Sequence, residues 1–466
     1  VDELAKSRWN QRRTLLAFCV MLPLALAYFG IRGPMRAVEF RQFNDFLSPY
    51  IQTKAWLRGQ DPYDPRVVAR LWPAETDVPA FVRPESENGT LPARRGIPSP
   101  YPLTGFPLLA PLAMMPWPSA SLVWFAISTL SFVTIVISTP AVARVPMRST
   151  QAGAIVLCAL MLAPFHTAIA LGNLVLVVFA LGMLAWLNVG RGSDVWAGLL
   201  LAAGAALKPT VALPFLICFA AMRRWRTLTI ALAAGLALFL IADLRILSAG
   251  VHWAHSYLPN SQRMFAPGGI DDFTSGNPTR FDLLNLQVIL YQVTRSTILS
   301  QVFAWMIAAG LLLRWAIHYR KMEGAEASLF NLAVVGTISL LPFYHRFYDG
   351  CLLLFPLAWA VTQVRGRQRK IARNVLIVAV PFALPGAAVL QALAGGNSIL
   401  HDLAQKWWWQ FLIAPHQVWI ILAMAVLLLA AQAKTAAADS VESFNRREGN
   451  MLRTRKPTTG AEGLIH

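Results

Sequence analysis

Residues 43–65 read FNDFLSPYIQTKAWLRGQDPYDP and lie shortly after TLLAFCVMLPLALAYFGI, residues 14–31. The earlier stretch carries no charge and is long enough to cross a bilayer, whose hydrocarbon core takes about 20 helical residues. The later one is dense in charge, proline and aromatic residues, and from about residue 103 uncharged segments return almost to the C-terminus. A protein held by a single anchor would not need those later apolar segments. The chain reads as an all-α polytopic membrane protein with a large polar loop on one face, and that loop is where chemistry is expected.

Composition agrees. Of the 466 residues, 56% are hydrophobic and 14% charged, against about 25% charged in ordinary soluble domains. The mean hydropathy is +0.50. A formal net charge of +18 raises the question of nucleic acid, but the basic residues fall in short clusters between apolar segments rather than on one basic domain. No nucleic-acid partner is expected, and membrane lipids are the expected surroundings. Cys19, Cys158, Cys218 and Cys351 are widely spaced inside apolar segments, so neither a disulfide framework nor a metal site is legible. Arg8, Arg12 and Arg13 precede the first apolar run as in a signal peptide, yet IRGPMRAVEF comes after it without a small-residue cleavage site, so it is expected to be a retained span.

The uncharged runs predict spans near 14–31, 118–143, 150–165, 173–190, 195–207, 209–222, 227–243, 296–313, 326–343, 349–364, 374–393 and 416–433. Several are too short to cross alone. The pair 195–222, broken by Lys208-Pro209, predicts a hairpin of two half-length helices, a form tolerated where it is buried in protein or lines a wet cavity. Placing the N-terminus inside puts Arg144, Arg148, Arg191, the Arg223/Arg224/Arg226 cluster, Arg314 to Lys321 and Arg365 to Arg373 on the cytoplasmic side, as the positive-inside rule asks. The same parity puts the first outer loop 32–102, the 166–172 turn with the Lys208 bend, the loop 244–295 and the turn 344–348 outside. Residues 1–433 then form the transmembrane domain, and 434–466 a polar cytoplasmic tail expected to be disordered. No internal repeat is evident, unlike in many transporters built from duplicated halves.

Several polar positions in the outer regions admit two readings. Asp45, among aromatics just beyond the first span, suits a general base toward a hydroxyl, or a helix cap or salt bridge to Arg41. Asp61, Tyr63 and Asp64 in GQDPYDP suit binding of a cation or of sugar hydroxyls, or a plain turn. Lys208 suits a phosphate as a point charge, or snorkels to the interface. In LPFYHRFYDG, residues 341–350, His345 and Arg346 suit a phosphate clamp, with Tyr348 beside them and Asp349 orienting the imidazole or neutralising the arginine. The alternative is an exposed loop. His166, Asn173 and Asn277 are further outer positions suited to hydrogen bonding a sugar or phosphate. Asn88-Gly-Thr90 matches a glycosylation acceptor by a short pattern of high chance rate.

Four pieces, in order, carry a resemblance: DF with the subsequent GQDPYDP; YPLTGFPLLAPLAMMPWPSASLVW; GNLVLVVFALGMLAW with AGLLLAAGAALKPTVALPFLICFAAMRRWR; and LPFYHRFYDGCLLLFPLAW. Over roughly residues 40–365 the chain resembles glycosyltransferase family 87, of the C superfamily of membrane glycosyltransferases, which includes polyprenyl-phosphate-mannose-dependent mannosyltransferases. The resemblance implies a GT-C fold with about 12 transmembrane or half-length helices and large outer loops. It implies a polyprenyl-phosphate sugar as donor, a lipid or glycan hydroxyl as acceptor, and reaction at the periplasmic face of a bacterial inner membrane. Carried over, the family's base falls on Asp45, its KP position on Lys208 and its outer-turn histidine on His345. Relatives often read GQ where this chain has Gly172-Asn173. The expectation is an inverting glycosyltransferase in which Lys208, His345 and Arg346 stabilise the departing phosphate, with no metal and no cofactor. The rivals are a transporter or flippase of a lipid-linked or small solute, and an outer-face polysaccharide ligase or polymerase using a diphosphate donor.

Overall fold

The structure is a computed structural model that describes residues 18–40, 43–74, 76, 101–319, 325–396 and 398–434. The expected tail beyond Lys434 and the Asn88 acceptor site lie outside the described residues. Among the described residues every regular element is helical, with one isolated antiparallel bridge between Leu283 and Arg346.

The first helix, α1 (Phe18–Glu39), carries a π-helical turn at Ile31–Met35 around Pro34. After it come α2 (Asn44–Leu57), α3 (Pro65–Arg70) and α4 (Phe106–Ala113). The long α5 (Trp117–Val142) starts with Pro118 in its first turn. There its missing N–H costs nothing. Along α5 the hydroxyls of Thr129, Thr134 and Thr139 donate to the carbonyls of Phe125, Leu130 and Ile135, so these three are satisfied within their own helix. Pro164 then bends α6 (Thr150–Met161) into α7 (Ala163–Leu171) by 52°.

Next are α8 (Val175–Gly190), α9 (Asp194–Leu207) and α10 (Pro209–Ala221). Between the last two, Lys208 is extended, at φ −153° and ψ 87°, because the adjoining proline ring crowds the helical region. The expected hairpin of half-length helices is thus present. Then come α11 (Trp225–Leu247), α12 (Ala254–Phe265), α13 (Gln287–Thr294), α14 (Thr297–Tyr319) and α15 (Ala325–Ser339). A 3₁₀ turn at Phe347–Leu353 leads into α16 (Leu354–Gln363). The chain ends with α17 (Arg369–Ala379), α18 (Gly386–Gly396), α19 (Ser398–Ala404) and α20 (His416–Lys434).

Each of the twelve apolar runs holds helix, but fewer cross unaided than twelve. Among the described residues five helices (α1, α5, α11, α14 and α20) are long and apolar enough to span a bilayer, or seven if each of two bent pairs counts as one span. The shorter helices, α8, α9 and α10 among them, pack in the interior, where Phe179, Phe215 and Phe355 meet edge-on or tilted. Side chains such as Leu232, Leu236 and Leu244 on α11 instead face outward. That inversion is what a hydrocarbon solvent permits.

Candidate active site

The amino end of α2 is fixed by aromatic packing. Phe46 stacks on Trp124 at 4.3 Å between centroids, and the Trp124 indole N–H donates to the Gly172 carbonyl at 2.7 Å. Gly172 sits at φ +66°, and a Cβ there would lie 2.8 Å from the Phe43 ring. Phe43 itself is left-handed at φ 33°, an unusual conformation for a bulky residue. Two adjoining constrained backbones thus set Asp45 and Asn173 face to face.

Asn173 is fully buried, and its amide is oriented by what surrounds it. Its Oδ1 accepts from the Val175 backbone N–H at 2.9 Å and from Lys208 Nζ at 3.2 Å, while its Nδ2 donates to Asp45 Oδ2 at 2.9 Å. Lys208 Nζ also donates to Asp349 Oδ1 at 2.5 Å and lies 4.5 Å from the centre of the Tyr348 ring. Asp349 is buried and accepts twice more on Oδ2, from His345 Nδ1 at 3.0 Å and from the Arg346 backbone N–H at 3.3 Å. One chain of polar contacts therefore runs Asp45, Asn173, Lys208, Asp349, His345.

A second carboxylate closes the site. Asp271 accepts from Arg346 Nε at 3.5 Å, and Arg346 Nη2 donates to the Ile270 carbonyl at 2.6 Å. The loop carrying Asp271 is tied to the 341–346 segment by the Leu283–Arg346 bridge and by Leu284 N–H donating to the His345 carbonyl at 2.7 Å. Tyr101 lies over the opposite side, its hydroxyl 3.3 Å from the Asp45 carbonyl, and its own carbonyl accepts from Tyr63. Asp45, Tyr101, Lys208, Arg346 and Tyr348 all keep part of their surface accessible. These groups come from the four regions that parity placed together on one face.

Burial sets the protonation. It raises the Asp45 carboxyl above its ordinary range, with Asn173, Arg346 and Lys208 pulling it back down. A carboxylate so placed is a better match to proton abstraction near neutral pH. Burial likewise lifts Asp271 to about 6, outweighing the Arg346 ion pair.

The remaining sequence candidates are placed otherwise. His345 has no exposed surface, and among the described residues its Nε2 has no hydrogen-bond partner; its ring meets the polar chain through Asp349. The guanidinium of Arg346 is answered by Asp271 and not by Asp349, a partner that GIDDFTSG did not disclose to sequence reading. Asp61 accepts from Tyr63 N–H and from the Ser256 hydroxyl, which ties the GQDPYDP turn to α12. Asp64 caps α3 by accepting from Arg66 N–H at 2.8 Å. Tyr63 is buried against Phe106, Trp253 and Tyr257. His166 is buried with Nε2 2.7 Å from the Leu160 carbonyl, edge-on to Tyr28 and Phe29. Asn277 braces its own loop through Thr279 and the Asp272 carbonyl. These five shape the frame rather than face the polar chain. Tyr101 and Asp271 are the site residues that sequence reading passed over.

The helical bundle sets a carboxylate at the edge of its interior next to a paired lysine and arginine, and comparison gives the class of the chain as a membrane glycosyltransferase. The sequence model of glycosyltransferase family 87 matches residues 100–343, more than half of the chain, and the chain belongs to that family. No curated protein and no solved structure matches. The matched span contains Tyr101, Asn173, Lys208 and Asp271, whereas Asp45, Arg346 and Asp349 lie outside it and join the site through the fold.

Proposed function

We propose that this chain is an inverting glycosyltransferase of the GT-C type that moves mannose from polyprenyl phosphate to a lipid or glycan hydroxyl at the periplasmic face of a bacterial inner membrane. The observation that carries this reading is the single polar chain joining Asp45 to Lys208 through Asn173. A carboxylate and a cation on either side of one carboxamide suit a displacement in which the first takes a proton while the second meets a departing phosphate.

In the reaction Asp45 takes the proton of the acceptor hydroxyl while that oxygen forms a bond to the anomeric carbon. The bond from that carbon to the phosphate oxygen breaks, and the electron pair leaves with the polyprenyl phosphate. The donor is a phosphodiester of one negative charge and the leaving group a monoester that gains another. Lys208 and the free edge of Arg346 meet charge that exists only as the bond breaks, so their contact favours the transition state over the bound donor. Asp349 and His345 hold Lys208 in place.

The test is incubation of the purified protein with a panel of radiolabelled polyprenyl-phosphate sugars, nucleotide sugars and diphosphate-linked donors in the presence of membrane lipid extract. Transfer from polyprenyl-phosphate mannose alone is the expected result. Transfer that requires a diphosphate-linked donor would overturn the reading in favour of a ligase or polymerase.

A further inference from the structure

An apolar groove of about 520 Å³ runs between α17 and α20, and no site residue lines it. Asn374, Ile377 and Val378 line it from α17; Trp419, Leu422 and Val426 line it from α20. Gln368, which precedes α17, donates to the Ala431 carbonyl at 3.3 Å. The start of α17 therefore lies beside the end of α20.

At that shared end both lining faces finish in a lysine. Lys370 stands four residues before Asn374 and seven before Ile377, on the same helical face. Lys434 stands seven residues beyond the groove-lining Leu427, again on the same face. Both lysines are exposed, and neither forms an ion pair or hydrogen bond among the described residues. Neither α17 nor α20 contains an acidic residue, while Arg369 and Arg373 add charge at the same end. From Lys434 to Trp419 the helix rises about 22 Å, close to the depth of one leaflet with its headgroups, about 20 Å.

We propose that this groove holds one anionic glycerophospholipid, with an acyl chain along Ile377, Val378, Leu422 and Val426 and its phosphate between Lys370 and Lys434. The exposed amide of Asn374, one turn deeper than Lys370, stands at the level of the ester oxygens. Charge selects the class, because a zwitterionic headgroup would bring its own cation to a rim made only of cations. The site is independent of the proposed sugar transfer.

Native mass spectrometry of the protein in mixed micelles, with phosphatidylglycerol and phosphatidylcholine of identical acyl chains, tests it. One phosphatidylglycerol should be retained preferentially. The double variant Lys370→Gln/Lys434→Gln, altered only at exposed positions, should lose about thirtyfold of that preference. Ala423→Trp, which fills the groove, should lose retention of both lipids. Equal retention of the two lipids, or an unchanged preference in the double variant, overturns the proposal. Displacement of the lipid by inorganic phosphate at the same concentration would reduce the site to an anion contact and overturns it too, as would a second copy of the chain in place of lipid.

Discussion

Asp45 and Lys208 hold opposite ends of one carboxamide, that of Asn173. The oxygen end is claimed by two donors, Val175 N–H and Lys208 Nζ, so the nitrogen end has one direction left, toward Asp45 Oδ2. The amide cannot turn over without facing N–H to N–H. The cation proposed to meet the phosphate and the carboxylate proposed to take the proton therefore share one rigid link.

Asp45→Asn keeps the size of the side chain and removes the proton acceptor. Turnover with saturating donor and acceptor should fall about a hundredfold to ten-thousandfold, while donor binding survives. A correctly folded variant within about threefold of wild type would exclude Asp45 as the base.

Asn173→Ala should act on the same carboxylate through its protonation. The Asn173 hydrogen bond lowers a carboxyl that burial has raised, so its loss leaves the acid form favoured to higher pH. The acid limb of the kcat/KM profile, expected above the ordinary carboxylate range, should move further up in the variant. A limb that stays in place would show that Asn173 does not tune Asp45.

Lys208→Ala removes a charge-assisted contact to an ionised group, a loss of about 1.5–3 kcal/mol, or at least about tenfold in catalytic efficiency. Asp349→Ala acts differently, since it strands Lys208 and His345 Nδ1 without their acceptor. Removing one partner of a buried pair costs about 3–5 kcal/mol, so this variant should unfold at lower temperature. His345→Ala should lose less activity than Lys208→Ala, because its ring supports Asp349 from behind. Donor kinetics in Lys208→Ala and His345→Ala, with thermal unfolding in detergent for all three variants, separate these outcomes.

Asp271 provides a pH signature. Its carboxyl rises from 3.8 to about 6 on folding, so the folded protein binds this proton more tightly than the unfolded chain. The resulting stability is fully present below about pH 4 and is lost as pH rises through 6, with an upper bound of about 3 kcal/mol. Asp271→Asn cannot titrate, and the difference in unfolding temperature between it and wild type should change across that window and be flat above it. A constant difference from pH 4 to 7 would refute the assignment.

The clustering of the site also predicts its sidedness. In a cysteine-free background, Arg66→Cys, Gln262→Cys and Gly395→Cys should react with a membrane-impermeant maleimide in intact cells. Arg148→Cys and Arg367→Cys should react only after permeabilisation. Labelling of the second pair from outside would reverse the proposed topology.

The helical segments were legible because each is a local pattern, and the Lys208 bend was legible because one proline dictates it. The number of crossings was less so, since α8, α9 and α10 are as apolar as the longer helices and differ from them in length and in how they pack. Asp45 and Lys208 could be singled out as charges amid apolar or aromatic surroundings. Asp271 could not, because its partner Arg346 lies 75 residues away and the two meet through a bridge between irregular segments. The burial of His345 was hidden for the same reason: the loop that pins the 341–346 segment closes over it from a distant part of the chain. Asp61 and Asp64 satisfied both readings of their turn, and only the ties to Ser256 and Arg66 settle where their oxygens go.

The extended residue between α9 and α10 also limits how this chain can vary. Lys208 is aimed by the length of α9, so one residue inserted or deleted between Asp194 and Leu207 would swing it about 100° around the axis and shift it about 1.5 Å along it. No rotamer recovers that displacement while Asn173 and Asp349 stay where they are. Relatives that keep the lysine should accept exchanges at outward positions of α9 such as Trp196 and Leu199, yet keep its residue count fixed.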